Sequence, residues 1–368
     1  MRILITGVCG FVGSSLARGI LESNEGVELY GIDNYKRLGA WNNFSILKKS
    51  HVKVRHGDIR IAADIDDLPR CDVVIDAAAM PSVLAGLDGD ATPRQLLQSN
   101  LGGTINQLEY CRRNGSTFIL LSSSRVYSIG ELGRLRISSF VAELQNGYRM
   151  DRFEPTGHLP FGITKEGIQE TFSTEPPLSL YGCSKRASEL LALEYREQFG
   201  FPVWINRCGV LAGSGQFGHL GQGIVAYWIH AYREGRKLCY IGFNGQGHQV
   251  RDVLHPHDLV ELINCQIHAN GGSAHLPHLV NVGGGQSNSF SLAELNRWCA
   301  NRFPSHSSGL PESIPETRPC DLPWVVLDCR LAQQHWNWSP KTTAKEIFEE
   351  IATFAEDNPD WLSRFEID

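Results

Sequence analysis

Tyr181-Gly-Cys-Ser-Lys185 sets a phenol and an ammonium four residues apart, the spacing of one helical face. An ammonium so placed lowers the phenol pKa by its charge, so that Tyr181 takes a hydroxyl proton near neutral pH. Upstream, Ser122-Ser123-Ser124 closes an apolar run, where a hydroxyl can share the hydrogen bond to the same reacting oxygen. A third group is Thr6-Gly7-Val8-Cys9-Gly10-Phe11-Val12-Gly13, lying between an apolar run and a helical pattern. Glycine there allows a tight turn, close approach to a pyrophosphate and packing of helix on strand. The helix N-terminus adds free N–H groups and the positive end of its dipole. Asp33 follows about 20 residues after Gly13, where a carboxylate accepts from ribose hydroxyls and repels a 2′-phosphate. That favours NAD, while Lys36 and Arg37 keep NADP open. Each feature alone is weak. Together they describe proton transfer beside a dinucleotide.

The elements needed to position these groups are visible in the pattern. Ile3–Thr6, Val27–Ile32, Val52–Arg55, Asp72–Ala77, Thr117–Ser122 and Val203–Asn206 read as strands with nearly continuous apolar runs. Such runs suit strands buried on both faces of a parallel sheet. Helices are predicted at Phe11–Glu22, Thr92–Arg113 and Ser184–Gln198. The alternation argues for an α/β, Rossmann-like doubly wound sheet with Ser122–Ser124 at the end of its fifth strand. Beyond about residue 210 the rhythm changes, with short units at Leu238–Ile241 and Leu279–Val282 and a Gly283-Gly284-Gly285 loop. A capping box opens a helix at Ser291, Phe303–Pro323 reads as a loop, and a last helix fits Lys345–Glu356. The expected division is a dinucleotide domain over 1–210, with an insertion at about 129–175. Residues 211–368 then form a smaller, substrate-binding lobe that sends some segments back.

Composition narrows the classes of function. With 40 acidic against 34 basic residues and no basic block, nucleic acid has no electrostatic handle. No apolar run approaches the roughly 18 residues of a membrane span, and the N-terminus lacks a signal-peptide core. Ten cysteines without a Cys-x-x-Cys pair point to reduced thiols in a cytoplasmic protein rather than to zinc. His255-Pro-His257-Asp258 and His275-Leu-Pro-His278 have the wrong spacing for metal ligands, so no metal is expected.

These residues resemble an extended short-chain dehydrogenase/reductase of the nucleotide-sugar epimerase and dehydratase branch. The likeness runs from Met1 to about Ser339 and takes in Thr6–Gly13, Asp33, Asp58, Asp72–Ala79, Asn100, Ser122–Tyr127, Tyr181–Lys185, Arg251-Asp252 and Trp338-Ser-Pro340. It implies Ser123, Tyr181 and Lys185 as the catalytic set, with Ser124 as the alternative hydroxyl. It implies NAD contacts from Gly7, Gly10, Phe11, Val12, Gly13, Asp33, Asn34, Asp58, Ile59, Ala77, Ala78, Ala79, Asn100 and Cys208, besides Tyr181 and Lys185. Substrate contacts would come from Ser123, Ser124, Gln216, Arg251 and Arg318, the two arginines meeting a nucleotide diphosphate. A solvated surface charge is the competing reading for each arginine. Members are commonly homodimers through two helices, matching Thr92–Arg113 and Ser184–Gln198.

Dehydratases of that branch carry Asp-Glu after the catalytic hydroxyl and decarboxylases a glutamate; this chain has Ser124-Arg125. What remains is oxidation of a ring hydroxyl to a ketone and return of the hydride to the opposite face. Ser-Ser-Ser-Arg-Val-Tyr127, Gly215-Gln-Phe217 and Gln249-Val-Arg-Asp-Val-Leu-His255 are similar to the CDP-tyvelose (CDP-paratose) 2-epimerase group, which implies a CDP-sugar 2-epimerase. A 4-epimerase, a nucleotide-sugar dehydrogenase or reductase, and a non-catalytic NAD sensor are the alternatives. Two departures stand out. The interval from Ser123 to Tyr181 is long, and its extra segment, with Arg134, Arg136, Arg149, Arg152 and Lys165, either covers the site or decorates the surface; the length of the loop favours the cover. Val210 replaces the asparagine of many epimerases, which speaks against UDP-hexose 4-epimerase specificity.

Overall fold

The computed structural model describes residues 1–37, 39–87, 89, 91–143, 149–219, 221–269, 276–305 and 309–365. His275, one of the histidines weighed above, lies outside them. Seven parallel strands form the centre: β1 (Arg2–Thr6), β2 (Glu28–Asp33), β3 (Lys53–His56), β4 (Val73–Asp76), β5 (Thr117–Ser123), β6 (Val203–Cys208) and β7 (Leu279–Val282). Their spatial order is β7-β6-β5-β4-β1-β2-β3. The chain leaves β1 toward one edge and returns to build the other, so a crevice opens between the ends of β1 and β4.

The apolar runs are continuous because both faces are covered. Ile3 and Ile5 pack with Leu16, Ile20, Leu259 and Ile263 of helices Phe11–Ser23 and Pro256–His268. Leu4, Val74 and Leu120 face the other way, onto Leu108 and Ala192 of helices Gly103–Asn114 and Leu180–Phe199. Each such side chain contributes roughly 1.5–3 kcal/mol on burial. A separate core gathers helices Ile224–Arg233, Leu292–Arg302 and Ala344–Asp357 through Trp228, Leu295, Phe348 and Ile351.

Three elements differ from the sequence expectation. The helix expected over Thr92–Arg113 is Pro93–Leu97, a π-turn at Gln98–Gly102 and then Gly103–Asn114. The buried amide of Asn100, inside the wide turn, bonds sideways to Met80 and Ser184. The Tyr181 helix begins earlier than expected, at Leu180, because Ser179 caps it by accepting from the Gly182 N–H at 3.0 Å. Within the expected loop 303–323, Glu312–Ile314 pairs in parallel with Cys239–Ile241.

The insertion carries an antiparallel hairpin, Ile137–Glu143 with Arg149–Pro155. Arg152 is buried and donates to Glu294 at 2.8 Å and to Ser289 Oγ at 2.9 Å, while the Phe153 N–H donates to His248 O. Glu294 belongs to the Ser291 capping box, so the hairpin is bolted to the start of helix Leu292–Arg302. Arg152 therefore holds the wall of the C-terminal lobe, where the sequence suggests a residue over the site. Its charge is spent on Glu294.

Candidate active site

The crevice between β1 and β4 is lined by backbone. Gly7 has φ +63°, and a Cβ on it would stand 2.8 Å from Ala78 Cα, so the β1 turn touches the Ala77-Ala78-Ala79 segment directly. The Gly10 N–H donates to Gly7 O at 2.9 Å, and a Cβ on Gly13 would overlap that same carbonyl. Helix Phe11–Ser23 starts at Gly10 with no side-chain cap and no acidic residue in its first turn, which contains Phe11, Val12 and Gly13. Glycine-lined space at an uncapped N-terminus fits the pyrophosphate of a dinucleotide.

Asp33 is buried at the close of β2. Its carboxylate accepts from the Cys9 N–H at 2.9 Å and the Tyr35 N–H at 2.8 Å. Burial raises its pKa, and the two amides pull against that rise. Asn34 donates to Asp58 at 3.2 Å, and Arg60, 2.6 Å away, holds the Asp58 carboxyl at about 2. Ile59 fills the space beside Gly103. Asn100 accepts from the Met80 N–H at 2.8 Å and donates to Ser184 Oγ at 3.1 Å, so it ties the 77–80 segment to the Tyr181 helix. Cys208 is buried at the end of β6 with its thiol on Asn206 O, and burial pushes it up to about 12.

Ser123, Tyr181 and Lys185 converge on the end of β5. Ser123 Oγ accepts from the Arg125 N–H at 3.1 Å, and Ser124 is buried beside it. Tyr181 sits in the first turn of its helix and is 7% exposed. Lys185, one turn on, is 2% exposed and donates to Leu121 O at 2.9 Å, which pins its ammonium to the strand that carries the serine. Below lies a pair that sequence reading missed. Glu189, on the Tyr181 helix, accepts from Ser122 Oγ at 2.6 Å and from Arg207 of β6 at 2.8 Å. A charged residue inside a strand and another on an apolar helix face were the available signal, since buried charges come paired.

The opposite wall belongs to the C-terminal lobe. Arg251 donates to Asp321 at 2.9 Å and to Leu322 O at 2.8 Å; burial, with the charge of Arg125 nearby, lowers its pKa to about 10. Arg318 is half-buried in the same segment, and its carbonyl accepts from the Asp321 N–H. Gln216 donates to Leu211 O at 3.0 Å, and its Oε1 is sealed with no partner. Two further cations reach this cleft. Arg37 is exposed along its length, yet burial of its guanidinium lowers its pKa and the Tyr181 phenol is a charge partner. Arg125 has the same phenol as a charge partner.

Residues 3–283 match the model of the NAD dependent epimerase/dehydratase family. The chain belongs to that family. It is 30% identical over 357 residues to a CDP-paratose 2-epimerase from Salmonella typhi, covering 94% of this chain and 96% of that one. It is also 22% identical over 379 residues to a UDP-glucuronate 4-epimerase from Thermodesulfobacterium geofontis, covering 99% of each. Among solved structures, a Thermus thermophilus UDP-glucose 4-epimerase complex with NAD superposes with a TM-score of 0.75 at 24% identity, over 97% of this chain and 100% of that one. This member of the epimerase/dehydratase family is an NAD-dependent enzyme of the epimerase type. The glycine cradle, Asp33 and the Ala77–Ala79 segment are the residues that would hold NAD.

Proposed function

We propose that the protein inverts C-2 of a CDP-linked sugar. Bound NAD supplies reversible hydride exchange at a ring carbon. The protein's part is to hold a hydroxyl against the Tyr181 phenol while Ser123 shares the same oxygen. The phenol takes the hydroxyl proton and gives it back, with Lys185 fixed one turn away by Leu121 O. Inversion requires that the oxygen on this carbon reach the phenol in both orientations of the ring, so the sugar would turn over within the cleft while the oxygen stays with Tyr181 and Ser123. The observation that carries the reading is the residue beside the phenol. The Arg125 main chain packs against the first turn of the Tyr181 helix, its guanidinium has the phenol as a charge partner, and elimination of water would need a carboxyl group there. The 30% identity with a CDP-paratose 2-epimerase over nearly the full chain supports the same choice.

Incubation with CDP-, UDP-, GDP- and dTDP-sugars in deuterated water, followed by NMR, tests this. The expected result is inversion at C-2 of a CDP-sugar without solvent deuterium at that carbon and without net NADH. Inversion only at C-4, or steady NADH release, overturns it.

We also propose a cytoplasmic homodimer. Leu97, Ile105 and Leu190 are exposed apolar residues on the helices Pro93–Leu97, Gly103–Asn114 and Leu180–Phe199, a surface suited to a second copy. Light scattering giving the mass of one chain overturns that assignment. No helix among the described residues is long and apolar enough to cross a membrane.

A further inference from the structure

Arg125 is held in an unusual way for a cation with no carboxylate of its own. Its backbone is fixed from two sides: its N–H donates to Ser123 Oγ, and a Cβ on Gly182 would collide with its carbonyl. The first turn of the Tyr181 helix is thus pressed against the Arg125 main chain. Nη1 of the guanidinium is sealed from solvent and finds no hydrogen-bond partner among the described residues. Burial lowers its pKa, while the Asp321 carboxylate, the Tyr181 phenol and the Cys320 thiol are its charge partners.

Asp321 is already engaged by Arg251, which spends its other bonds on Val250 O and Leu322 O. Arg125 and Arg251 therefore share one carboxylate, and Arg125 is near enough to depress the pKa of Arg251. A desolvated guanidinium with an unpaired Nη1 is costly unless an anion completes it. The cleft is built to receive negative charge beside the phenol. In a nucleotide sugar the phosphate oxygen is bonded to C-1, adjacent to C-2 and across the ring from C-4.

We infer that Arg125 binds the sugar-proximal phosphate of the nucleotide sugar and so presents C-2, rather than a carbon across the ring, to Tyr181. This deepens the reading of the site given above and rests on it. Arg125 is then a specificity-determining residue, recognising a phosphate that a nucleoside diphosphate also carries and a monophosphate lacks.

Calorimetric titration of the NAD-loaded enzyme with CDP and with CMP tests the assignment. Wild-type enzyme binds CDP more tightly than CMP. Arg125→Gln lowers CDP affinity about ten- to hundredfold, the worth of one hydrogen bond to a charged group, and leaves CMP affinity within about twofold. Arg125→Lys keeps the charge and falls between. Bound NAD is unchanged, and the nucleotide-free variant melts no lower than wild type, because a buried charge that has only a shared carboxylate has been removed. A structural arginine would show the reverse.

Wild-type enzyme that binds CDP no better than CMP overturns the assignment even where no variant folds. So does Arg125→Gln with CDP affinity intact and binding lost only for a nucleotide hexuronate, whose carboxylate would then be the anion. The two readings fail separately. Inversion at C-2 with intact CDP binding in Arg125→Gln defeats only the role of Arg125. Inversion at C-4 with weakened CDP binding removes the C-2 reading and leaves the phosphate contact.

Discussion

The two walls of the cleft are made of different material. Toward β1 and β2, the surface is mostly backbone: a left-handed Gly7, carbonyls and amides at contact distance, an uncapped helix start, and one carboxylate. On the other side, the side chains proposed to recognise the substrate are long and charged, Arg125, Arg251 and Arg318, drawn from segments far apart in sequence. A backbone surface suits a ligand that stays, since nothing need reorganise to meet it. A side-chain surface can select among ligands that differ by one anionic group. The Ser123, Tyr181 and Lys185 set stands on the seam between them.

Substitution of the phenol tests whether the two walls are separable. Tyr181→Phe should lower turnover by about two to four orders of magnitude, the range for losing a positioned acid–base group. The content of bound NAD should stay unchanged on extraction. Loss of NAD with the hydroxyl would mean that the walls form one unit.

Below the seam, Glu189 is the next lever. It is completely buried and holds both Ser122 and Arg207, so it clamps the Tyr181 helix to β5 and β6. Arg207 in turn lies over the Tyr127 ring at 5.0 Å. Glu189→Gln leaves that guanidinium buried without its counter-charge and should cost roughly 3–5 kcal/mol in urea unfolding. If stability is unaffected, the clamp is not what aligns the two halves.

The difference between the walls also governs what is legible in the sequence. Gly7, Gly10, Gly13 and Asp33 are readable because backbone recognition leaves its mark as local spacing. Continuous apolar strands are readable because both sheet faces are covered, as Ile3 and Leu4 show by pointing to different cores. Arg125 reads in the sequence only as the absence of a carboxylate, since nothing in Ser124-Arg125 says which way a guanidinium points. Arg152 misleads for a similar reason. Its partner Glu294 lies in a capping box that looks complete by itself, and only the fold brings the hairpin to it. The π-turn at Asn100 is hidden because helical spacing survives one extra residue, and its cause is a partner at Met80.

On the backbone wall, a single methyl group is the sharpest probe. Gly13→Ala would push a Cβ into the Gly7 carbonyl, and that carbonyl cannot yield, since it accepts from the Gly10 N–H. The expected loss is about 1–3 kcal/mol of stability, with bound NAD depleted, measured by thermal melting and by nucleotide extraction. Retention of NAD would show that the turn adapts and that the cradle is less rigid than its contacts imply.

The smallest effect is expected where the two halves are stitched together at the outer surface. Glu350, on the C-terminal helix, accepts from the Ser214 N–H at 3.0 Å and from His255 Nε2 at 2.9 Å. His255 Nδ1 accepts from the His257 N–H, closing the start of helix Pro256–His268, so the ring proton is on Nε2 and directed at the carboxylate. Burial raises the Glu350 pKa, but the bonds from His255 and Ser214 outweigh it and leave the carboxyl at about 2. A carboxyl held below its unfolded value near 4.5 stabilises the fold above that pH, and the contribution is lost as pH falls toward 2. The side chain is 38% exposed, so solvent screens the pair and its worth is about 0.2–1 kcal/mol. Glu350→Gln should lower the melting temperature slightly at pH 7 and leave it unchanged near pH 2, converging with wild type in between. An equal loss at both pH values would assign the effect to the shape of the contact and not to its charge.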